Sequence, residues 1–80
     1  MRSLATQLVV GKAREGTPHG EVWWAAHMND WCWSLFAATR YPIDTNDAVM
    51  VAHELSDADG KAYTENALVA VSRIRGEVVA

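Results

Sequence analysis

The residues best suited to chemistry fall in the second half of the chain: His53 and Glu54 in AVMVAHELS, and Tyr63 in KAYTEN. A carboxylate serves as a general acid or base when an apolar pocket raises its pKa, which is the role open to Glu54. An imidazole ordinarily changes charge near neutrality, so His53 could orient a ligand or move a proton. Tyr63 offers a phenolic donor beside them. The plainer readings are a solvated carboxylate for Glu54 and a surface or structural hydrogen-bonding residue for His53.

Placing these groups requires the elements that carry them. Two apolar-rich runs, Val49–Leu55 and Tyr63–Ile74, flank the turn cluster Ser56-Asp57-Ala58-Asp59-Gly60, and a short apolar tail, Val78-Val79-Ala80, follows Arg75-Gly76. That is the pattern of an antiparallel meander. A loop at Asp59-Gly60 puts Glu54 opposite Glu65 and His53 opposite Asn66. A loop spanning Asp57 to Gly60 puts Glu54 opposite Tyr63 and His53 opposite Thr64. Both registers stay open.

Upstream, Ser3–Val10 (SLATQLVV) suits either a helical face or a strand, and KAREGTPHG reads as a loop broken by Gly16, Pro18 and Gly20. Trp24, Met28 and Trp31 lie at i, i+4 and i+7, predicting a short helix over Glu21–Asp30 whose stripe packs on the sheet. From Trp31 the period becomes two, predicting an aromatic-faced strand that runs to Tyr41 and stops at Pro42. Ile43–Asp47 (IDTND) is turn chemistry.

Several familiar motifs fail on their spacing. Gly11-Lys12 lacks the earlier glycine of a phosphate loop, since Thr6 stands there, and Ala13 replaces the hydroxyl that holds magnesium. In His53-Glu54-Leu55-Ser56-Asp57 the second histidine of a zinc protease is an aspartate. Asp57-Ala58-Asp59-Gly60 fails as a calcium loop at both ends, with Leu55 first and Asn66 last. His19, His27 and His53 are dispersed, and Cys32 is better read as a small apolar residue than as a nucleophile. No metal or other cofactor is expected.

Composition sets further bounds. Half of the 80 residues are apolar and 21% are charged, which is globular rather than disordered composition. A net charge of -3 without a basic patch gives no electrostatic case for nucleic acid. Four tryptophans exceed what so small a core needs, so a ligand pocket or a homodimer interface is expected. A single cysteine and the lack of a leader-like or spanning apolar stretch point to a soluble, cytoplasmic chain without membrane contact.

From about Gly20 onward the chain resembles the NTF2-like superfamily, in particular its SnoaL-like and limonene-epoxide-hydrolase-like branches. The pieces that carry the resemblance are HGEVWWAAHMNDWCWSL, then IDTNDAVMVAHE, then DADGKAYTENALVAVSRIRGEVV, in that order. The resemblance implies an α+β fold: short N-terminal helical segments packed on a bent antiparallel β-meander, a partial cone around an apolar pocket, and a dimer. Residues 1–80 would form one domain, shortened at the N-terminus and in its last strand. It also implies that Met50, Ala52, Glu54 and Ser56 face the pocket. The Arg and Asp of the epoxide-hydrolase branch are replaced at the matching positions by Glu54 and Ser56, so epoxide hydrolysis is not implied.

The function expected is a SnoaL-like pocket protein for a small apolar carbonyl-type molecule, acting as an isomerase, cyclase or hydrolase. Glu54, His53 and Tyr63 would be catalytic; Trp24, Met28, Trp31, Trp33, Met50 and Ala52 would line the pocket. The alternatives are a non-catalytic ligand-binding or dimerisation module and, last, a fragment of a hot-dog-like thioesterase or hydratase.

Overall fold

A computed structural model describes residues 4–57 and 60–76. The sheet is built around β1 (Gln7–Ala13), and its pairings are all antiparallel. Along one edge of β1, β2 (Glu21–Ala25) pairs with Gly11–Ala13 and β4 (Tyr41–Pro42) with Gln7–Leu8. Along the other edge β5 (Ala62–Asn66) runs beside Leu8–Lys12. β3 (Asp30–Cys32) adds outside β2. Among the described residues there are two α-helices, α1 (Asp47–Leu55) before β5 and α2 (Ala67–Arg75) after it. The α+β class with an antiparallel sheet is therefore present, although its elements fall elsewhere in the chain than the meander predicts.

Alternation along β1 decides how the layers form. Successive side chains point to opposite faces, so Val9 and Val10 serve different cores. Val9 packs with Trp23, Leu35, Ala38 and the α2 residues Ala67, Ala70 and Val71. Val10 packs with Ala48 and Ala52 of α1, with Trp24, Trp31 and Tyr41 around them. One helix thus covers each face of the sheet. This explains the unbroken Leu8-Val9-Val10 run, since a strand buried on both sides has no polar face. Each buried valine is worth roughly 1.5–3 kcal/mol.

Four sequence expectations need correction. Glu21–Asp30 is not a helix but the β2–β3 hairpin, turning at Ala26–Met28 with Asn29 in the left-handed region (φ 50°). Val22, Trp23 and Trp24 favour a pleated, packed surface, and asparagine tolerates the turn. The Trp24/Trp31 spacing that suggested a helical stripe is a directly opposed cross-strand pair, with ring centroids 5.6 Å apart and near-perpendicular planes.

The strand expected from Trp31 to Tyr41 ends at Cys32. A 3-10 turn follows at Leu35–Ala37, and β4 covers only Tyr41–Pro42. Backbone pairing there is replaced by two bonds to the end of β2. Thr39 N–H donates to the Trp24 carbonyl (2.9 Å), and Thr39 Oγ1 accepts from Ala26 N–H (2.7 Å).

Val49–Leu55 is α1 rather than a strand. Its inward residues, Ala48, Ala52 and the half-buried Val51 and Leu55, follow helical spacing; the apparent period of two came from exposed Val49. Alanine, methionine, glutamate and leucine are strong helix formers, and Asp47 suits the positive end of the dipole.

The run Tyr63–Ile74 changes element at Asn66. Its Oδ1 accepts from Leu68 N–H (3.0 Å) and Val69 N–H (3.3 Å), so it is the N-cap of α2. Ala67, Ala70, Val71 and Ile74 then face the Val9 core at helical spacing, and Gly76 ends the helix at φ 75°. The Glu54–Glu65 and Glu54–Tyr63 registers both lapse, because Glu54 is helical. What remains of the hairpin is a bridge between Asp57 and Gly60. Ala58 and Asp59, which it encloses, lie outside the described residues, as does the tail Val78-Val79-Ala80.

Candidate ligand groove beside the outer strand

α1 and the outer edge of β5 enclose an open groove of about 680 Å3. The helix contributes Val49, Ala52, His53 and Ser56, which at i, i+3, i+4 and i+7 form one stripe. The strand side contributes the consecutive residues Lys61, Ala62, Tyr63 and Thr64. Ser56 closes the floor: its Oγ donates to the Ala52 carbonyl (2.8 Å) and accepts from Ala62 N–H (2.9 Å). That second bond covers a donor at the strand edge and helps protect it from pairing with another chain.

Tyr63 joins the groove to a polar cluster on the α2 face. Its ring lies over Gly11, where an added Cβ would stand 3.0 Å from the ring, so any larger residue there requires the ring to give way. Its hydroxyl donates to Glu21 Oε2 (3.0 Å). Arg73 of α2 donates from Nη2 to Glu21 Oε1 and to Glu65 Oε1 (2.7 Å), and from Nε to Glu65 Oε2 (3.3 Å). The guanidinium thereby ties β2 and β5 together across β1. Burial, then the hydrogen bond to Glu21 and its negative charge, push the Tyr63 phenol well above its ordinary range. The hydrogen bonds to Glu65 and Glu21 raise Arg73 as well. Tyr63 is thus a neutral phenol with its donor already engaged.

On the α1 face, Lys12 is almost wholly buried and reaches Asp57 with Nζ–Oδ distances of 3.2 and 3.4 Å. The ammonium also stands 5.8 Å from the centroid of the Trp31 ring, a cation–π distance. Asp57 N–H donates to the Gly60 carbonyl (3.0 Å) and Gly60 N–H to the Asp57 carbonyl (3.3 Å). The buried lysine therefore pins the turn that leads from α1 into the groove's strand wall.

The residues expected from sequence are divided by this arrangement. His53, Tyr63 and Ala52 meet at the groove. Glu54 and Met50, one helical turn apart on α1, are exposed and do not line it. Trp24 and Trp31 lie half-buried beneath α1, in the core around Val10. Met28 and Trp33 are exposed on the turns flanking β3. Cys32 Sγ donates weakly to the carbonyls of Trp23 (3.3 Å) and Ser34 (3.2 Å), and burial pushes its thiol up, the opposite of an activated nucleophile.

Lys61 and Thr64 carried no motif in the sequence and enter the site only through the fold, whereas Ser56 was already among the residues the resemblance set on the pocket face. The signal available was helical spacing from Val49 to Ser56. No cluster of three or more potential metal ligands occurs among the described residues. The chain matches no family model, no curated protein and no solved structure.

Proposed function

We propose that the chain is a non-catalytic binding module that holds a small, largely apolar molecule in the groove between α1 and β5. The observation that carries this reading is the groove's composition: an apolar floor and wall from Val49, Ala52 and Ala62, with polar groups at a few points. Its size lies within the roughly 300–1,000 Å3 usual for small-molecule sites. The proposal keeps the small apolar ligand implied by the NTF2-like resemblance and moves it from an enclosed cone to an open groove. Glu54, the acid/base of the isomerase or cyclase reading, stands outside the lining, and the phenol of Tyr63 is engaged by Glu21, which favours binding over turnover.

An uncharged apolar dye such as Nile red tests the reading. Val49→Trp, at an exposed helix position, fills the groove without touching either core. Dye fluorescence that rises with the wild-type chain and not with V49W supports the groove; equal enhancement by both chains removes it.

A second reading, self-association, is favoured by the exposed side chains of Trp33 (60%) and Phe36 (66%), close together in sequence. Light scattering on the wild type and on W33S/F36S checks it. A monomeric wild type at high concentration discards it.

A further inference from the structure

We infer that the ligand of this groove is an amphipathic monoanion, an apolar chain or ring ending in one carboxylate; the inference rests on the binding reading above. Acidic residues outnumber basic ones ten to seven in the chain, yet the groove lining holds no aspartate or glutamate. It holds Lys61 and His53, the two side chains there able to carry positive charge.

The acids that border the lining in sequence are directed elsewhere. Glu54 is on the exposed side of α1, Asp57 meets the Lys12 ammonium, and Glu65 meets the Arg73 guanidinium. An anion in the groove thus meets Lys61 and His53 without a like charge in the lining beside it.

The remaining groups fix the rest of the ligand. Ser56 is committed in both directions, and the Tyr63 hydroxyl is committed to Glu21. The Tyr63 ring lies over Gly11, so the apolar surface of the groove is that of Val49, Ala52 and Ala62. The backbone N–H of Ala62 is taken by Ser56. Lys61 and His53 suit a singly charged carboxylate, which can accept a charge-assisted hydrogen bond from the ammonium and a second from the imidazole N–H. The head sits between Lys61 and His53, and the apolar body lies along the Val49–Ala52 stripe.

Titration of the 15N-labelled chain with octanoate, 1-octanol, octylammonium and octyl phosphate tests this. Octanoate should shift the amides of Val49–Ser56 and Lys61–Thr64 and bind at least about tenfold more tightly than 1-octanol, the factor one charge-assisted hydrogen bond supplies. Octylammonium should bind most weakly. The double variant H53Q/K61Q should lower octanoate to the level of 1-octanol and leave 1-octanol unchanged. Equal binding of octanoate and 1-octanol overturns the anionic ligand while leaving the groove as a binding site. Tighter binding of octyl phosphate than of octanoate overturns the carboxylate. Absence of shifts with all four overturns the groove itself, and this inference with it.

Discussion

The ammonium of Lys12, a residue only 4% exposed, is held 3.2 Å from a carboxylate oxygen of Asp57, whose side chain is 56% exposed. The pair is a buried cation reaching a solvent-facing anion at the rim. Removing the anion leaves the cation uncompensated in the core, whereas removing the cation leaves a carboxylate that already faces solvent. Asp57→Asn should therefore cost about 1–2 kcal/mol. Lys12→Met, which keeps the buried stem, should cost less. In the Lys12→Met background the further change Asp57→Asn should cost less than it does in the wild type. Urea midpoints of the four chains check the cycle; an equal cost for Asp57→Asn in both backgrounds would show that the pair contributes no coupling.

Asn66 ends β5 and caps α2, and it also donates from Nδ2 to the Ala5 carbonyl (2.9 Å). Loss of an N-cap side chain typically costs about 1 kcal/mol. Asn66→Ala should lower the melting temperature by several degrees, while Asn66→Asp keeps the cap acceptor and should lose less. Asn66→Val separates the two readings of this stretch. It would stabilise a continuous strand and must destabilise the observed junction.

Gly11 lies beneath the Tyr63 ring, and a methyl group added there would stand within 3.1 Å of three atoms of the tyrosine side chain. Gly→Ala in a strand interior ordinarily stabilises by roughly 0.5–1 kcal/mol. Here the added methyl must displace the ring and its bond to Glu21, so Gly11→Ala should destabilise by about 1–3 kcal/mol. Tyr63→Leu in the same chain should restore part of the loss. A gain in stability on Gly11→Ala alone would show that the ring does not lie there.

The raised pKa of Tyr63 has a definite consequence at alkaline pH. In the unfolded chain the phenol ionises near its ordinary value of about 10, while in the folded chain burial and the Glu21 carboxylate keep it protonated above that. The folded state then binds more protons than the unfolded one. Stability from this group is fully present below pH 10 and is lost as pH rises from there through the folded value. Tyr63→Phe should flatten the alkaline limb of the stability–pH curve. An unchanged limb would assign the loss to other groups, Tyr41 among them, whose phenol is also raised by burial.

What could be read in the sequence followed the quantity that each pattern measures. The family resemblance implied the α+β class, and the apolar runs flanking a turn cluster pointed to antiparallel pairing, since they report on propensity and burial. Periodicity misled where two geometries share one spacing. Trp24 and Trp31 are seven apart, which places them on one face of a helix or opposite one another across a short hairpin, and the turn at Asn29 selects the hairpin. Val49 and Val51 suggested alternation, but the alanines at 48 and 52 are the buried pair, and their small size hides the helical stripe from a reading that weighs bulky residues. Of the candidate site, His53, Tyr63 and Ala52 share the groove because α1 and β5 are adjacent in both sequence and space. The Lys12–Asp57 and Arg73–Glu21 pairs were illegible, since each joins residues far apart in the chain.

The central strand has its two edges finished at different times. β2 follows β1 directly, so one side of β1 can begin to zip up by a local hairpin. The other side is completed only by β5, drawn from beyond the intervening strands and α1. Closing that long loop costs entropy before the contacts repay it, so docking of β5 is the natural slow step of folding. Until it docks, the doubly buried run Leu8-Val9-Val10 presents a bare apolar edge. A nascent chain would carry that edge from the moment β1 emerges, and its exposure to aggregation ends with the arrival of the same strand that forms the wall of the groove.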